Sequence, residues 1–150
     1  MKEALERFRS SFPDTEVNEY NPRRLYLRIR RDQLTSAAKL LHRDYGMRLS
    51  ICTAIDTREG FEVLYHFFDD REGIYYTLKV LAPKDDCWLE SQAAWFPACD
   101  WIEREMQELF GIEFRGHPNM KPLLTSDTDW EPERYPLRRD AEDRGGAHER

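Results

Sequence analysis

The sequence has no apolar run approaching the roughly 20 residues that are needed to cross a bilayer. Its first residues, MKEALERFRSSF, are charged and have a helical pattern, which is unlike a secretory signal peptide. The mean hydropathy is −0.81, and 35% of the 150 residues are charged. These features exclude an integral membrane protein and predict a soluble chain whose membrane contact, if any, goes through another protein.

Cysteine is scarce, and Lys and Arg are outnumbered by Asp and Glu. The three cysteines, Cys52, Cys87 and Cys99, form no C-x-x-C pair and are odd in number, so a disulfide framework, an iron–sulfur site or a zinc site is not expected. This usage fits a reducing cytoplasm. The formal net charge of −6 argues against a nucleic-acid partner, because phosphate contacts need concentrated Lys and Arg.

Motifs of catalysis are also missing: there is no Gly-x-Ser-x-Gly, Walker loop or dinucleotide fingerprint. Glu103, Glu105, Glu108 and His117 could belong to a stand-alone hydrolase, or to a metal site with Glu105 and Glu108 one helical turn apart. No Glu-x-x-His stands on a helix, however, and no ligand set or triad is complete. The residues therefore predict no catalytic, cofactor-binding or metal-binding side chain, and leave a hydrolase or a generic binding adaptor as alternatives.

What the sequence does contain is hydrophobic periodicity up to residue 114. Helical spacing predicts a helix over 2–12 and another over 32–45, which Asp32 caps and Gly46 ends. His66 lies in the apolar run 61–68 and is expected to be a hydrogen-bonded core residue. Together the elements predict an α+β domain with a mostly antiparallel sheet over residues 1–118. The predicted strands are 15–20, 25–29, 49–56, 61–68 and 74–81.

The segment from Trp101 to Leu124, WIEREMQELFGIEFRGHPNMKPLL, opens as an amphipathic helix. Asp100 is its predicted N-cap, with Glu103 completing a capping box, and Gly111 takes the left-handed position after its end. In projection Glu105 falls inside the apolar stripe and Glu103 points outward, so Glu105 is expected to be buried beside a basic partner. The stripe itself is formed by Ala98, Trp101, Ile102, Met106, Leu109 and Phe110. Arg104 and Glu108 are expected to form a surface i, i+4 pair.

Residues 119–150 lack periodicity and are rich in proline, which precludes a long helix. They are predicted to form an extended tail that is disordered towards its end. A purely disordered linker has little use for regular apolar anchors, so the tail is expected to be a docking strap on a partner and mobile when the chain is alone. The anchors are Leu123, Leu124, Trp130, Tyr135 and Leu137, between Arg134, Arg138 and Arg139.

The sequence resembles the 30 kDa subunit (also called the C subunit) of respiratory complex I, NADH-quinone oxidoreductase. The resemblance rests on the motif ERE-x-x-ELF, in which x is any residue, and on GIEFRGHP and NMKPLL, which follow it directly. FEVLYHFF, WFPACDWIERE and YPLRRD are similar to further stretches of that family, so most of residues 25–140 are covered. The family includes the matching subunit of energy-converting nickel–iron hydrogenases, which HPNMKPLL also resembles. Met120 stands where leucine or proline is commoner, and complex I members usually run longer, so both parent complexes stay open.

The resemblance implies a two-layer α+β domain with a mixed sheet and a redox-inactive subunit of a hydrophilic arm. Such subunits brace the large subunit, which forms the quinone cavity or carries the nickel–iron site, beside the small cluster-bearing subunit. Iron–sulfur clusters and the quinone or nickel–iron site are therefore expected in partner subunits and no cofactor in this chain. The expected location is the cytoplasm, peripheral on the cytoplasmic face of the cell membrane.

The partner interface is expected on the organising helix and the tail. The residues assigned to it are Trp101, Glu103, Arg104, Glu105, Glu108, Phe110, His117, Pro118, Lys121, Leu123, Leu124, Trp130, Tyr135, Pro136, Leu137, Arg138, Arg139 and Asp140.

Overall fold

The computed structural model describes residues 2–125 and 135–139, and all structural statements concern these residues. Three helices and seven strands follow one another in an α+β order. The helices are α1 (Lys2–Ser11), α2 (Leu34–Lys39) and α3 (Ala98–Phe110). The strands are β1 (Glu16–Asn21), β2 (Arg24–Ile29), β3 (Arg48–Asp56), β4 (Gly60–Asp69), β5 (Ile74–Pro83), β6 (Trp88–Glu90) and β7 (Glu113–Arg115).

The first five strands form one sheet in the order β1-β2-β5-β4-β3. Neighbours are antiparallel except β2 and β5, which run parallel. Parallel neighbours need a crossover connection, and α2, β3 and β4 lie within it. The prediction of an α+β domain with a mixed, mostly antiparallel sheet is thus confirmed. β5 lies at the centre of the sheet, and β4 pairs with it through the tight connection at Gly73, whose φ of 67° suits a residue without a Cβ.

The three helices pack on the same face of this sheet. Alternate residues of β4 and β5, such as Phe67 and Leu78, are buried in one apolar cluster with Phe8 of α1, Leu34 of α2 and Met106 of α3. On the opposite face the described residues leave side chains in contact with solvent, and Ile51 is 50% exposed. One packed and one open face is the usual arrangement of an antiparallel sheet with period-2 alternation.

The predicted second helix is interrupted in the structure. A 3-10 turn at Arg31–Gln33 precedes α2, and a π-helical turn at Leu40–Asp44 follows it. Asp32 does not cap the helix; its carboxylate pairs with Arg30 at 3.0 Å. Gly46 ends the segment with a φ of 67°, as predicted.

His66 is hydrogen-bonded but does not lie in the core. Strand alternation turns its side chain to the open face of the sheet, where Nδ1 lies 3.0 Å from the Thr77 hydroxyl. The neighbouring Tyr65 points to the opposite face and is completely buried. Successive side chains of a strand point to opposite faces of the sheet, and a continuous apolar run does not show which face each residue takes. The prediction that His66 lies in the core was wrong for this reason.

Strands β6 and β7 form a separate, two-stranded parallel sheet, with Leu89 opposite Phe114. Each of these strands is only three residues long, too short to show a recognisable period in the sequence. The guanidinium groups of Arg31 and Arg115 both lie 3.9 Å from the centre of the Trp88 ring. This small sheet brings the loop after β6 against α3. None of the helices in the described ranges is long and apolar enough to span a membrane.

Candidate subunit interface

Helix α3 packs with a face different from the predicted one. Glu103 is completely buried, whereas Glu105 is exposed and Trp101 is 67% exposed. The predictions that Glu105 is buried and that Glu103 points outward are therefore wrong. The residues that α3 buries are Cys99, Glu103, Met106 and Phe110, spaced i, i+4, i+7 and i+11 along one stripe.

The two ends of α3 differ in how well the sequence predicted them. The helix begins at Ala98 with Pro97 in the capping position and no side-chain cap, so the capping box of Asp100 and Glu103 is wrong. Proline is favoured at the start of a helix because its fixed φ suits the helix and it has no N–H group to satisfy. Gly111 has a left-handed φ of 70°, and its N–H donates to Gln107 at the helix end, as predicted.

The buried carboxylate of Glu103 orders the loop after β6. Its Oε2 accepts a hydrogen bond from the Ser91 hydroxyl at 2.5 Å, and its Oε1 accepts one from the Gln92 N–H at 2.7 Å. Burial raises the pKa of Glu103 to about 7, although these two hydrogen bonds oppose the shift by favouring the ionised form. Glu103 therefore acts as an internal brace between α3 and the small sheet.

His117 closes the other side of this buried polar region. The Asn119 N–H donates to its Nδ1 at 3.0 Å, which leaves the ring proton on Nε2 to donate to the Asp100 carbonyl at 3.1 Å. Nε2 also lies 4.0 Å from a carboxylate oxygen of Glu103. The side chain of His117 is only 1% exposed, and its hydrogen bonds fix the chain after β7 against α3.

Arg104 and Glu108 hold the start of the tail on α3 instead of pairing with each other. Arg104 donates to the carbonyl oxygens of Lys121 and Pro122 at 2.7 and 2.9 Å. Glu108 accepts from the N–H groups of Leu123 and Leu124 at 2.5 and 2.8 Å. Arg104 supplies donors, and Glu108 on the next helical turn supplies acceptors. The extended segment 121–124 is therefore held through both its carbonyl and its N–H groups. We call this arrangement the α3 clamp.

The clamp has a defined electrostatic consequence for Glu108. Burial would raise the pKa of its carboxyl, but the backbone N–H groups of Leu124 and Leu123 outweigh burial and lower it below the ordinary value. Glu108 therefore stays ionised at neutral pH and remains a strong acceptor.

A second part of the tail returns to the end of α3. Leu137 N–H donates to the Leu109 carbonyl at 3.1 Å, and Arg138 Nε donates to the Phe110 carbonyl at 2.6 Å. These bonds satisfy carbonyl groups that a helix end leaves without intrahelical partners. A Cβ on Gly111 would lie 2.5 Å from both Tyr135 and Arg138, so glycine is required there for the tail to pack.

The return continues to the sheet. Arg139 N–H donates to Asp56 Oδ2 at 2.8 Å, and Lys84 Nζ lies 3.1 Å from the other oxygen. Burial would raise the pKa of Asp56, but the Arg139 N–H and the Lys84 ammonium lower it overall. The described parts of the tail thus dock on their own domain, which the sequence did not predict.

The docked tail leaves a row of exposed apolar side chains along α3. Trp101 projects from its first turns, Leu124 is 54% exposed beside Glu108, and Leu137 is 51% exposed beside Leu109. Because 1.5 Å separates successive helical residues, the row spans on the order of 12 Å. We call it the α3 surface. Exposed apolar side chains that are grouped, unlike singly scattered ones, mark sites of protein–protein contact.

The remaining predicted interface residues fall into three groups. Pro118, Lys121 and Pro136 are exposed, and Leu123, Tyr135 and Phe110 are partly or largely buried. Trp130 and Asp140 lie outside the described residues. Sequence reasoning missed Ser91, Gln92 and Asp56, because serine, glutamine and aspartate in loops and at strand ends carry no pattern that indicates a buried acceptor or donor. In the described ranges, no three or more His, Cys, Asp or Glu side chains are grouped to hold a metal ion.

Comparison with known proteins assigns a family. Residues 27–146 match the family described as respiratory-chain NADH dehydrogenase, 30 Kd subunit. The chain belongs to this family. The matched range contains both the α3 clamp and the return of the tail, so both features lie within the part of the chain that the family covers.

Curated relatives are named as the C subunit of NADH-quinone oxidoreductase. The relative from Citrifermentans bemidjiense is 31% identical over 116 residues, covering 75% of this chain and 70% of the relative. The relative from Mesorhizobium japonicum is 39% identical over 80 residues, covering 53% of this chain and 38% of the relative. The chain thus spans less than half the length of some of the curated relatives that it matches.

Two solved structures share the fold. One is a chain of the membrane-bound sulfane sulfur reductase, an archaeal respiratory membrane complex, with a TM-score of 0.77, 24% identity and 93% of this chain covered, 84% of that chain. The other is the trypsin-resistant fragment of Nqo5, with a TM-score of 0.68, 22% identity and 79% of this chain covered, 97% of that chain. At these identities the likeness establishes the architecture alone.

Proposed function

We propose that this member of the 30 kDa family is a redox-inactive structural subunit in the hydrophilic arm of a complex-I-like, membrane-associated oxidoreductase. In this role it braces the large catalytic subunit and lies beside the small cluster-bearing subunit on the cytoplasmic face of the membrane. The observation that carries the proposal is the α3 surface, a row of exposed apolar side chains within the segment that matches the family. Iron–sulfur clusters and the quinone or nickel–iron site belong to the partner subunits.

The α3 surface suits a stable contact for a physical reason. Trp101 supplies a large apolar area with few rotatable bonds, and tryptophan is enriched among residues that dominate binding energy. Leu124 and Leu137 belong to backbone that the chain itself already holds, through Glu108 and the Leu109 carbonyl. Because this backbone is ordered before binding, less conformational entropy is lost when a partner docks.

The test uses the tagged full chain expressed in its native host. After mild detergent extraction, proteins that co-purify with the wild-type chain are identified by mass spectrometry. We expect a large subunit with quinone-cavity or nickel-site sequence, and Trp101→Ser should lower its recovery about tenfold or more, as loss of a central aromatic anchor does. Trp95→Ser is the matched control, since Trp95 is also exposed but is covered by Lys39 Nζ 3.3 Å from its ring centre.

Truncation after Asn119 tests the tail in the same assay. The shortened chain should remain folded, by its circular dichroism and melting temperature, but should no longer recover the large subunit. Failure of the wild-type chain to recover any part of an oxidoreductase contradicts the proposed function. Normal recovery by both Trp101→Ser and the truncated chain would instead remove the α3 surface from the interface.

A further inference from the structure

A second surface lies on the opposite side of the molecule, on the sheet face that the helices leave open. A pocket of about 220 Å³ indents this face, and its lining includes Arg24, Tyr26, Ile51, His66 and Tyr75. We call it the Arg24 pocket. A further depression of about 360 Å³ adjoins it across Tyr26. The lining comes from β2, β3, β4 and β5, so its shape is set by the rigid sheet and not by loops.

Arg24 brings an exposed positive charge to the pocket, without a carboxylate partner in the part of the chain that the structure describes. Two other cations on this face have carboxylate partners: Arg28 lies 3.5 Å from Glu59, and Lys79 lies 3.1 Å from Glu62. The guanidinium of Arg24 makes neither an ion pair nor a hydrogen bond with any residue in ranges 2–125 and 135–139. Arginine presents a planar fork of donors that matches a carboxylate.

His66 lines the pocket and is held in place from two neighbouring strands. Its Nδ1 lies 3.0 Å from the Thr77 hydroxyl on β5, and its Nε2 lies 3.4 Å from the Thr53 hydroxyl on β3. Burial and, after it, the charge of Arg24 lower the pKa of His66. A neutral imidazole supplies no negative charge, and no carboxylate in ranges 2–125 and 135–139 forms an ion pair with Arg24.

Apolar side chains extend from the pocket along the same face. Ile51 and Ile55 are 50% and 45% exposed on β3, and Tyr20 is largely exposed on β1, in edge contact with Tyr26. With the exposed row on α3, these residues make up most of the exposed large hydrophobic side chains that the structure describes. Arginine and tyrosine are enriched at protein–protein interfaces, and complementary charges across an interface fix the register of the two partners.

We propose that the Arg24 pocket receives an aspartate or glutamate side chain from a second protein subunit, with apolar residues of that subunit packed on Ile51 and Tyr75. The inference rests on the proposed function, since it assumes membership of a multi-subunit assembly. The inference goes beyond the proposed function by assigning a second docking surface. This surface faces away from the α3 surface and serves a different partner segment. The chain then bridges two segments of the assembly through its rigid sheet.

Charge reversal in the purified complex tests the pocket. Arg24→Glu should lower recovery of one co-purifying subunit about tenfold or more, because a carboxylate would meet a carboxylate. Arg28→Glu is the matched control, because Arg28 is on the same strand and already has a partner in Glu59. Melting temperatures of the two isolated variants are measured to check that both remain folded.

A photo-crosslinker in place of Ile51 identifies the occupant. The expected product joins Ile51's position to a peptide of another subunit that contains an aspartate or glutamate, whereas the same crosslinker at exposed Ser10 on α1 gives none. Equal recovery with Arg24→Glu and wild type overturns the inference, as do crosslinks to a second copy of this chain or to its own residues 126–134 or 140–150. If the wild-type chain recovers its partner subunits normally in those experiments, the proposed function stands while the pocket assignment fails.

Discussion

At the scale of single residues, the roles of Glu103 and Glu105 are exchanged relative to the sequence prediction. A helical projection centred on Trp101 and Leu109 placed Glu105 inside the apolar stripe. The structure instead rotates α3 so that Cys99 meets Cys52 of β3, with their sulfur atoms 3.7 Å apart, and Glu103 meets the loop after β6. A buried carboxylate is tolerated there because two donors, Ser91 and Gln92, satisfy its oxygens.

Alanine substitution at these two glutamates should have very different effects. Glu103→Ala leaves the Ser91 hydroxyl and the Gln92 N–H buried without an acceptor, which costs roughly 1–3 kcal/mol for each group. Glu105→Ala should change the free energy of unfolding by no more than about 0.5 kcal/mol, as is usual for an exposed residue. Urea denaturation of the isolated chain at pH 6 measures both. Equal stabilities of the two variants would contradict the assignment of Glu103 as the internal brace.

The raised pKa of Glu103 predicts a pH dependence of stability. Between the ordinary value of 4.5 and about 7, the folded chain keeps a proton that the unfolded chain has released. The contribution of Glu103 is therefore fully present below pH 4.5 and is lost as the pH rises through about 7, by about 1.4 kcal/mol per pKa unit.

Glu103→Gln cannot titrate and should escape this loss. We expect the free energy of unfolding of Glu103→Gln to rise relative to wild type by on the order of 1–3 kcal/mol between pH 5 and pH 8. Denaturation midpoints at the two pH values measure the change, and Glu105→Gln serves as the control. A difference between Glu103→Gln and wild type that is the same at both pH values would show that Glu103 does not titrate in this window.

At the scale of secondary-structure elements, α3 organises the chain from both of its sides. Its buried face fixes the sheet and the loop after β6, while Arg104 and Glu108 fix the tail. The i, i+4 spacing that predicted a surface ion pair also places two side chains side by side on one helix face. Arg104 and Glu108 bind backbone carbonyl and N–H groups of residues 121–124 and do not bind each other, because an extended tail offers acceptors to arginine and donors to glutamate.

Removing the carboxylate of the α3 clamp should release the tail without unfolding the domain. In Glu108→Ala, the N–H groups of Leu123 and Leu124 lose their acceptor. We expect their amide hydrogens to exchange with solvent at least about tenfold faster, equivalent to about 1.4 kcal/mol of lost local protection. Hydrogen exchange followed by mass spectrometry measures this, with Glu105→Ala as a control on the same helix. Unchanged protection of Leu123 and Leu124 in Glu108→Ala would mean that other contacts hold the tail.

At the scale of the whole molecule, a two-layer fold presents two unlike surfaces on its opposite sides. The helix layer carries the apolar α3 surface, and the open sheet face carries the Arg24 pocket among exposed isoleucine and tyrosine side chains. Both surfaces are built on regular elements, so their separation and orientation are fixed by the core between them. A rigid spacer with two such surfaces supports the bracing role proposed above.

The sequence by itself determined the order of the three helices and the first five strands, the α+β class and the family. Strand alternation and helical spacing are local properties, and the motif around α3 is a contiguous string, so each can be recognised without the fold. The end of α3 at Gly111 was equally local, because a left-handed residue after a helix favours glycine.

Only the tertiary structure decided which face of α3 is buried, what Arg104 and Glu108 bind, and where the tail docks. The amphipathic pattern of α3 allows neighbouring rotations about its axis, and the choice between them depends on the donors that Ser91 and Gln92 bring from a different part of the chain. Arg24 likewise became informative only when β2, β3, β4 and β5 were assembled. Its lack of a carboxylate partner among the described residues is a property of the sheet face and not of the residues next to it in sequence. Pairings between segments far apart in the chain leave no periodic trace, and this is the physical reason that the sequence could not supply them.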